Sequence, residues 1–403
     1  MAKSQRIAFG GAAALLAGYL IRGELHAAIA NFRDVREWDF LCFWLWAKIG
    51  ANGLNFYDPQ VAASVAQGLD VTAEFRRLIV DVGFWYPPPT MLLFAPLGLL
   101  SMRLALGWWY AVLGLSLVIS AVLLNRLVGN RAGAATIAML AMLVLALPTS
   151  HMTLWLMQTN FIVLAAVAAL WLERDRPRAG LWLALGVLVK PYLAILGIFL
   201  ILHRNWKAIG LGLLAWSALC LATAAAFGWG PIWSYLTDNP MARLPIDVHS
   251  EPINQSLFAT LLRMTDNELR ARSFQANVWF LSLAVAILVS TTVLAWRSRR
   301  AAPEYSFSLI LTAGLLLYPS TLAHYGLLLV VPLLLLWRRQ QSGTAEWFVL
   351  AFAACVQFLT GVALGSYAFW AMAAVWLVFA GLAAWSPAPA RLSVPHGLRL
   401  GGV

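Results

Sequence analysis

From residue 7 to residue 385 the chain is a succession of Leu-, Ala- and Val-rich runs of helical length, interrupted by short polar breaks. Apolar runs lie near 7 to 21, 104 to 124, 132 to 148, 160 to 172, 179 to 190, 191 to 202, 208 to 227, 277 to 296, 305 to 318, 326 to 337, 347 to 365 and 368 to 385. They lack the roughly ten-residue alternation of a membrane β-barrel. With 62% hydrophobic and 11% charged residues, too little polar surface remains to coat a soluble globule of this size. In hydrocarbon a chain must satisfy its own backbone, and an α-helix does so within a single segment. The pattern therefore predicts an all-α polytopic membrane protein of about twelve spans, several shorter than the ~20 residues a perpendicular crossing needs. At Lys190-Pro191 the chain interrupts itself, because proline has no N–H to donate. The stretch 179 to 202 is thus either two spans or one kinked helix, and the choice sets the orientation of everything after it.

Charge placement supports two spans. With the N-terminus inside, sixteen Lys or Arg and only four acids fall on the inner side, against an overall formal charge of +11. This is the bias that positive-inside insertion requires. It also accounts for the basic character without a nucleic-acid partner, leaving anionic membrane lipids as the expected counter-charge. The N-terminal Met1-Ala2-Lys3-Ser4-Gln5-Arg6 and the run after it are expected to form a retained first span rather than a cleaved leader. Residues 1–385 are expected to form one integral-membrane domain, and 386–403, with Pro387, Pro389 and Pro395, a disordered cytoplasmic tail. The expected setting is the cytoplasmic (inner) membrane. Cys42, Cys220 and Cys355 have no paired spacing, so neither a disulfide framework nor a metal site is expected.

Two segments on the outer, extracytoplasmic side are too long to be connectors: 22–103, after the first span, and 228–276. Eight of the seventeen acids lie in the first. There, Trp38 to Lys48 reads as an interfacial amphipathic helix, residues 60 to 80 as a second surface helix, and Tyr86-Pro87-Pro88-Pro89 as an extended stretch. The run 90 to 100 is too short to span and reads as a half-inserted helix.

Asp39 stands out in this insert. A carboxylate between Trp38 and Phe40 at a membrane surface is placed for partial desolvation, which raises its pKa towards the range of a general base; the competing reading is a solvated acid paired with Arg33 or Arg36. Lys190 is costly between two apolar runs and suits an anion such as a lipid phosphate; the alternative is a lysine snorkelling to the interface. Polar clusters recur at outer span ends: Gln158 and Asn160; Asn254, Gln255 and Ser256, with Arg263 further along; and His324-Tyr325. Amides and hydroxyls suit sugar hydroxyls, while Arg263 and His324 suit phosphate, although each alone reads equally as a helix cap or interhelical contact. The chain contains no phosphate-cradling Gly-rich loop followed by lysine, no HExxH and no GxSxG, which removes nucleotide-driven and serine-hydrolase chemistry.

In order along the chain, Asp39-Phe40, Ala47 and Gly53 ahead of Tyr57-Asp58, Tyr86-Pro87-Pro88, Pro96, Gln158-Thr159-Asn160, Gly180, Gly186, Lys190-Pro191, Asn254-Gln255-Ser256 and His324-Tyr325 resemble glycosyltransferase family 87. This is the DUF2029 group of the GT-C superfamily, which includes polyprenyl-phosphate-mannose-dependent mannosyltransferases. Met157 departs from the pattern, since a glycine often precedes the glutamine. The resemblance implies a GT-C-type helical bundle that transfers a hexosyl, such as mannosyl, or pentosyl unit from a polyprenyl-phosphate donor to an envelope glycan or glycolipid. It implies an extracytoplasmic active site with no cofactor, and it puts Asp39 in the place of the family's catalytic base. Lys190, Arg263 and His324 are then expected at the donor phosphate, and Gln158, Asn160, Asn254, Gln255 and Tyr325 at the sugars. Trp38, Tyr57, Asp58 and Tyr86 are expected to line the acceptor cleft. A lipid or sugar transporter and an O-antigen-type polymerase are the competing readings, but transporters typically show two related halves, and the long insert occurs once.

Overall fold

The computed structural model describes Gly18, Arg22 and residues 38–68, 83–129, 133–238, 249–264, 273–339, 344–361 and 365–386. Within them the elements are helical: α1 (Trp38–Ala51), α2 (Pro59–Gln67), α3 (Met91–Gly98), α4 (Met102–Leu127), α5 (Ala134–Leu145), α6 (Pro148–Trp155), α7 (Asn160–Leu172), α8 (Ala179–Val189), α9 (Leu196–Leu202), α10 (Trp206–Phe227), α11 (Gly230–Thr237), α12 (Leu257–Met264), α13 (Ser273–Ser298), α14 (Pro303–Leu317), α15 (Val330–Arg339), α16 (Thr344–Thr360) and α17 (Tyr367–Trp385). Short 3₁₀ turns, Pro88–Thr90, Pro191–Ile195 and Ala323–Leu329, precede α3, α9 and α15. Among the described residues there is no strand, only an isolated antiparallel bridge between Asn254 and Leu322. Within the described residues, each apolar run expected beyond residue 100 falls mainly on helix. Gly18 apart, the run 7 to 21, the surface helix beyond Gly68, the acids Asp70, Glu74 and Asp81, and the tail after Ser386 lie outside the described residues.

By length and composition the described helices supply fewer crossings than the twelve expected. Four are long and apolar enough: α4, α10, the Asn277–Ser298 part of α13, and α17. A fifth is obtained if α5 and α6, bent by 76° across Ala146-Leu147, are one broken span. The other apolar helices are shorter because the chain breaks them. At Lys190 the backbone is extended (φ −138, ψ 99) and Pro191 cannot continue the α8 hydrogen-bond ladder. Such breaks give backbone and side-chain polar groups somewhere to gather at membrane depth, provided they are buried in protein.

Helices α7 and α14 form the centre. Nearly every residue of both is buried, as expected of helices apolar all round. By contrast α10 and α13 present exposed Leu213, Leu214, Leu221, Leu281, Val285 and Val289, a surface suited to lipid chains. Contacts close at one basic end: Asn205 donates to the carbonyls of Arg174 (2.8 Å) and Arg176 (3.1 Å), Arg339 pairs with Glu304 at 3.0 Å, and Arg338 donates to Leu127 O at 2.8 Å.

The helix expected to lie on the surface is buried instead. In α1, Phe40 to Ala47 and Ile49 are all buried, because consecutive apolar residues leave the helix no polar face. It packs on α3 so closely that a Cβ on Gly98 would collide with the Ala47 carbonyl. The Trp44 indole reaches the Leu100 carbonyl at 3.1 Å, and Phe43 stacks on Phe94 at 4.5 Å. The half-inserted helix expected at 90 to 100 is α3, and its close neighbour is α1.

Candidate active site

Asp39 lies in the first turn of α1, where the helix dipole favours a carboxylate. Part of the residue stays exposed, while protein crowds its carboxylate. The Gln158 amide Nε2 donates to Asp39 Oδ2 at 2.5 Å. The other end of the same amide, Oε1, accepts from Lys190 Nζ at 3.2 Å. Lys190 Nζ also donates to the Tyr325 hydroxyl at 2.7 Å and lies 4.1 Å from that ring's centroid. It faces the Tyr86 ring at 5.4 Å, and Tyr86 Oη reaches Gln158 Oε1 at 3.5 Å. Five residues from the insert, the α6–α7 turn, the α8 break and the turn before α15 thus converge on one point.

Burial pushes the Asp39 carboxylate above its ordinary 3.8, and the hydrogen bond from Gln158 and the positive charge of Lys190 pull it back part of the way. A carboxylate so tuned can take a proton nearer neutral pH than a solvated one. Lysine carries three N–H donors. Two of those on Lys190 go to Gln158 and Tyr325, which leaves one for a ligand.

A tight turn presents Gln158. Gln158 N donates to Thr153 O at 2.8 Å and Met157 N to Leu154 O at 3.1 Å, the paired bonds of a Schellman helix end. Met157 sits at its left-handed position with φ +55, a conformation that favours glycine. The Met157 departure noted in the sequence thus falls where a glycine would relieve backbone strain.

Around Tyr325 several buried polar atoms have no hydrogen-bond partner: Asn160 Oδ1, Thr159 Oγ1, Tyr192 Oη and both ring nitrogens of His324. Asn160 Nδ2 meanwhile bonds Thr153 Oγ1 and His324 O, each at 3.0 Å. The His324 ring meets Tyr325 edge-on at 4.8 Å, and Tyr192 stacks on Tyr325 at 5.6 Å. Buried polar groups are costly when unpaired, so this cluster suits a polar ligand. Tyr192 was not among the residues singled out for chemistry, although it directly follows Lys190-Pro191.

Asn254, Gln255 and Arg263 are gathered elsewhere, into a brace. Asn254 Nδ2 donates to His249 O (3.0 Å) and Pro319 O (2.9 Å), and its Oδ1 accepts from Ser256 N at 3.2 Å. Gln255 Nε2 donates to Pro252 O (2.5 Å) and Gly365 O (3.0 Å), and its Oε1 accepts from Phe369 N at 2.9 Å. Arg263 bonds the carbonyls of Ser250, Glu251 and Asn254 and the Ser366 hydroxyl. These side chains tie the 249–256 segment to Pro319 and to the start of α17, and that work occupies their polar atoms. Asp58 caps α2 by accepting from Gln60 N at 2.9 Å. Tyr57 donates to Tyr86 O at 2.5 Å, steadying the extended stretch that carries Tyr86. Trp38 is placed at the start of α1, but its side chain lies outside the described residues.

An apolar cavity of about 660 Å³ opens between α4, α5, α15 and α16, lined by Leu124, Leu143, Leu333, Trp337 and Leu350 among others. Gln357 on its wall donates to Gly326 O at 3.4 Å, two residues beyond His324. No group of three His, Cys, Asp or Glu able to hold a metal occurs among the described residues.

The model of glycosyltransferase family 87 matches residues 84–323, more than half of the chain. The chain belongs to glycosyltransferase family 87. The match contains Tyr86, Gln158, Asn160 and Lys190; Asp39 lies ahead of it, and His324 and Tyr325 just beyond. Those three are joined to the matched region by the contacts described above. No curated protein and no solved structure matches the chain. Membership makes the protein a glycosyltransferase and is consistent with the GT-C superfamily.

Proposed function

We propose that this glycosyltransferase moves a hexosyl or pentosyl unit from a polyprenyl-phosphate donor to a hydroxyl of an envelope glycan or glycolipid on the extracytoplasmic face. Asp39 serves as the general base. The observation that carries the reading is the Gln158 amide, which holds the Asp39 carboxylate at one end and the Lys190 ammonium at the other. Glycosyl transfer from a lipid phosphate needs these two charges: a base for the acceptor proton and a cation for the departing phosphate.

In the proposed step the acceptor hydroxyl oxygen attacks the anomeric carbon as its proton passes to Asp39. The bond from the anomeric carbon to the phosphate oxygen breaks, and its electron pair leaves with the polyprenyl phosphate. Lys190 takes up the developing charge with its third N–H, and His324 offers a ring N–H beside it. A single displacement of this kind inverts the anomeric centre. Gln158, Asn160 and Tyr325 orient the donor sugar, and Tyr86, supported by Tyr57, borders the acceptor. Asn254, Gln255 and Arg263 serve by holding the turn before α15 in place. The apolar cavity beside Gln357 offers room for part of an isoprenoid chain.

The test uses purified protein in liposomes with a polyprenyl-phosphate sugar. Transfer to a glycan acceptor that is lost in Asp39→Asn supports the reading. Movement of the lipid-linked sugar across the bilayer without any transfer would support a transporter instead.

A further inference from the structure

Trp109 lies in α4, apart from every residue assigned above. It is buried, and its indole Nε1–H donates to the carbonyl of Met157 at 2.7 Å. That carbonyl belongs to the one left-handed residue of the turn that presents Gln158. A non-glycine residue held there is strained and persists only when its surroundings impose it. The same indole meets the rings of Phe94 and Phe43 edge-on, with centroids 5.5 Å and 6.1 Å away. Phe43 is four residues after Asp39 on α1, hence on the same helical face.

We propose that Trp109 is a positioning residue: it clamps the strained Met157 turn against the helix that bears Asp39, and so fixes the contact between Gln158 and the Asp39 carboxylate. Packing alone would need only an aromatic ring at 109. The clamp needs the N–H. A second helix contact supports α4 as the frame, since Ser120 Oγ donates to Phe161 O at 2.9 Å and ties α4 to α7 just past the turn.

For catalysis the inference rests on Asp39 acting as the base, but the geometry can be tested without substrate. Infrared titration of the purified protein, with the Asp39 band assigned by subtracting Asp39→Asn, reads the midpoint of this carboxyl directly. In Trp109→Phe the turn slackens and Gln158 no longer donates fully, so the midpoint rises by about one pH unit, the scale of one lost hydrogen bond to a carboxylate. Adding Met157→Gly lets the turn hold its left-handed shape unclamped and returns the midpoint towards wild type. Replacing Trp109 with benzothienylalanine, which keeps the bicyclic shape and lacks the N–H, reproduces the rise if the phenylalanine variant proves unstable. A midpoint unchanged in the donor-less variants, or a rise that Met157→Gly does not reverse, overturns the proposal. The predicted rise and its reversal beside absent glycosyl transfer would instead count against the proposed reaction and leave the clamp standing.

Discussion

Gln158 donates to Asp39 through one end of its amide and accepts from Lys190 through the other, at 2.5 Å and 3.2 Å. An amide in this position keeps the acid and the cation apart by one side chain while coupling them electrostatically. Removing it in Gln158→Leu takes away the hydrogen bond that lowers the carboxyl pKa, so the acidic limb of the rate profile moves to higher pH. The rate at its optimum falls by about 10- to 100-fold, because the proposed base and phosphate cation lose their shared alignment. Rates measured across pH with saturating donor check both effects.

Lys190 is 2% exposed and held by Gln158 and Tyr325. On the proposed reading, the donor phosphate loses a charged hydrogen bond of about 2 kcal/mol in Lys190→Met, so donor affinity falls about 30-fold. Binding of a non-transferable polyprenyl-phosphate analogue measures this. Unchanged affinity would return Lys190 to a structural role.

Asp39 is raised by burial, so its ionisation opposes folding. The protonated carboxyl is the form the fold prefers. Its contribution is fully present below the unfolded value near 3.8 and is lost as pH rises through the folded value. Asp39→Asn is therefore expected to melt higher than the wild type at neutral pH, with the gap closing as the pH falls towards the acid range. Thermal melts of the two proteins at a series of pH values test the sign.

Gly98 lies against the Ala47 carbonyl with no room for a Cβ. In Gly98→Ala helix α1 must shift or the backbone must strain, at a cost of about 1–3 kcal/mol. Since α1 carries Asp39, activity falls with thermal stability. Asn254→Ala also lowers the melting temperature, because two carbonyls lose their donor, but at a permissive temperature it leaves donor affinity near wild type.

The bundle was legible because apolar runs of helical length recur along the chain, and within the described residues those beyond residue 100 became mainly helix. Span number was less legible, since a break such as Lys190-Pro191 divides a hydrophobic stretch without revealing whether the chain then crosses or turns back. Trp38 to Lys48 misled for a related reason. Aromatic density favours a membrane interface, yet it serves equally in a buried helix, and which one applies depends on α3 packing at Gly98. Asp39, Gln158, Lys190 and Tyr325 are each visible in the sequence, and the resemblance assigns them to one site, but the contacts that join them depend on tertiary structure. Asn254, Gln255 and Arg263 have the same polar chemistry, but backbone carbonyls take up their donors. No local pattern separates those two fates.

The most direct measurement is the turnover of purified Asp39→Asn in liposomes with a polyprenyl-phosphate sugar and a hydroxyl acceptor, with donor binding followed in parallel. Loss of a general base predicts a fall of about 10²- to 10⁴-fold in turnover with donor affinity near wild type. Turnover close to wild type would contradict the account.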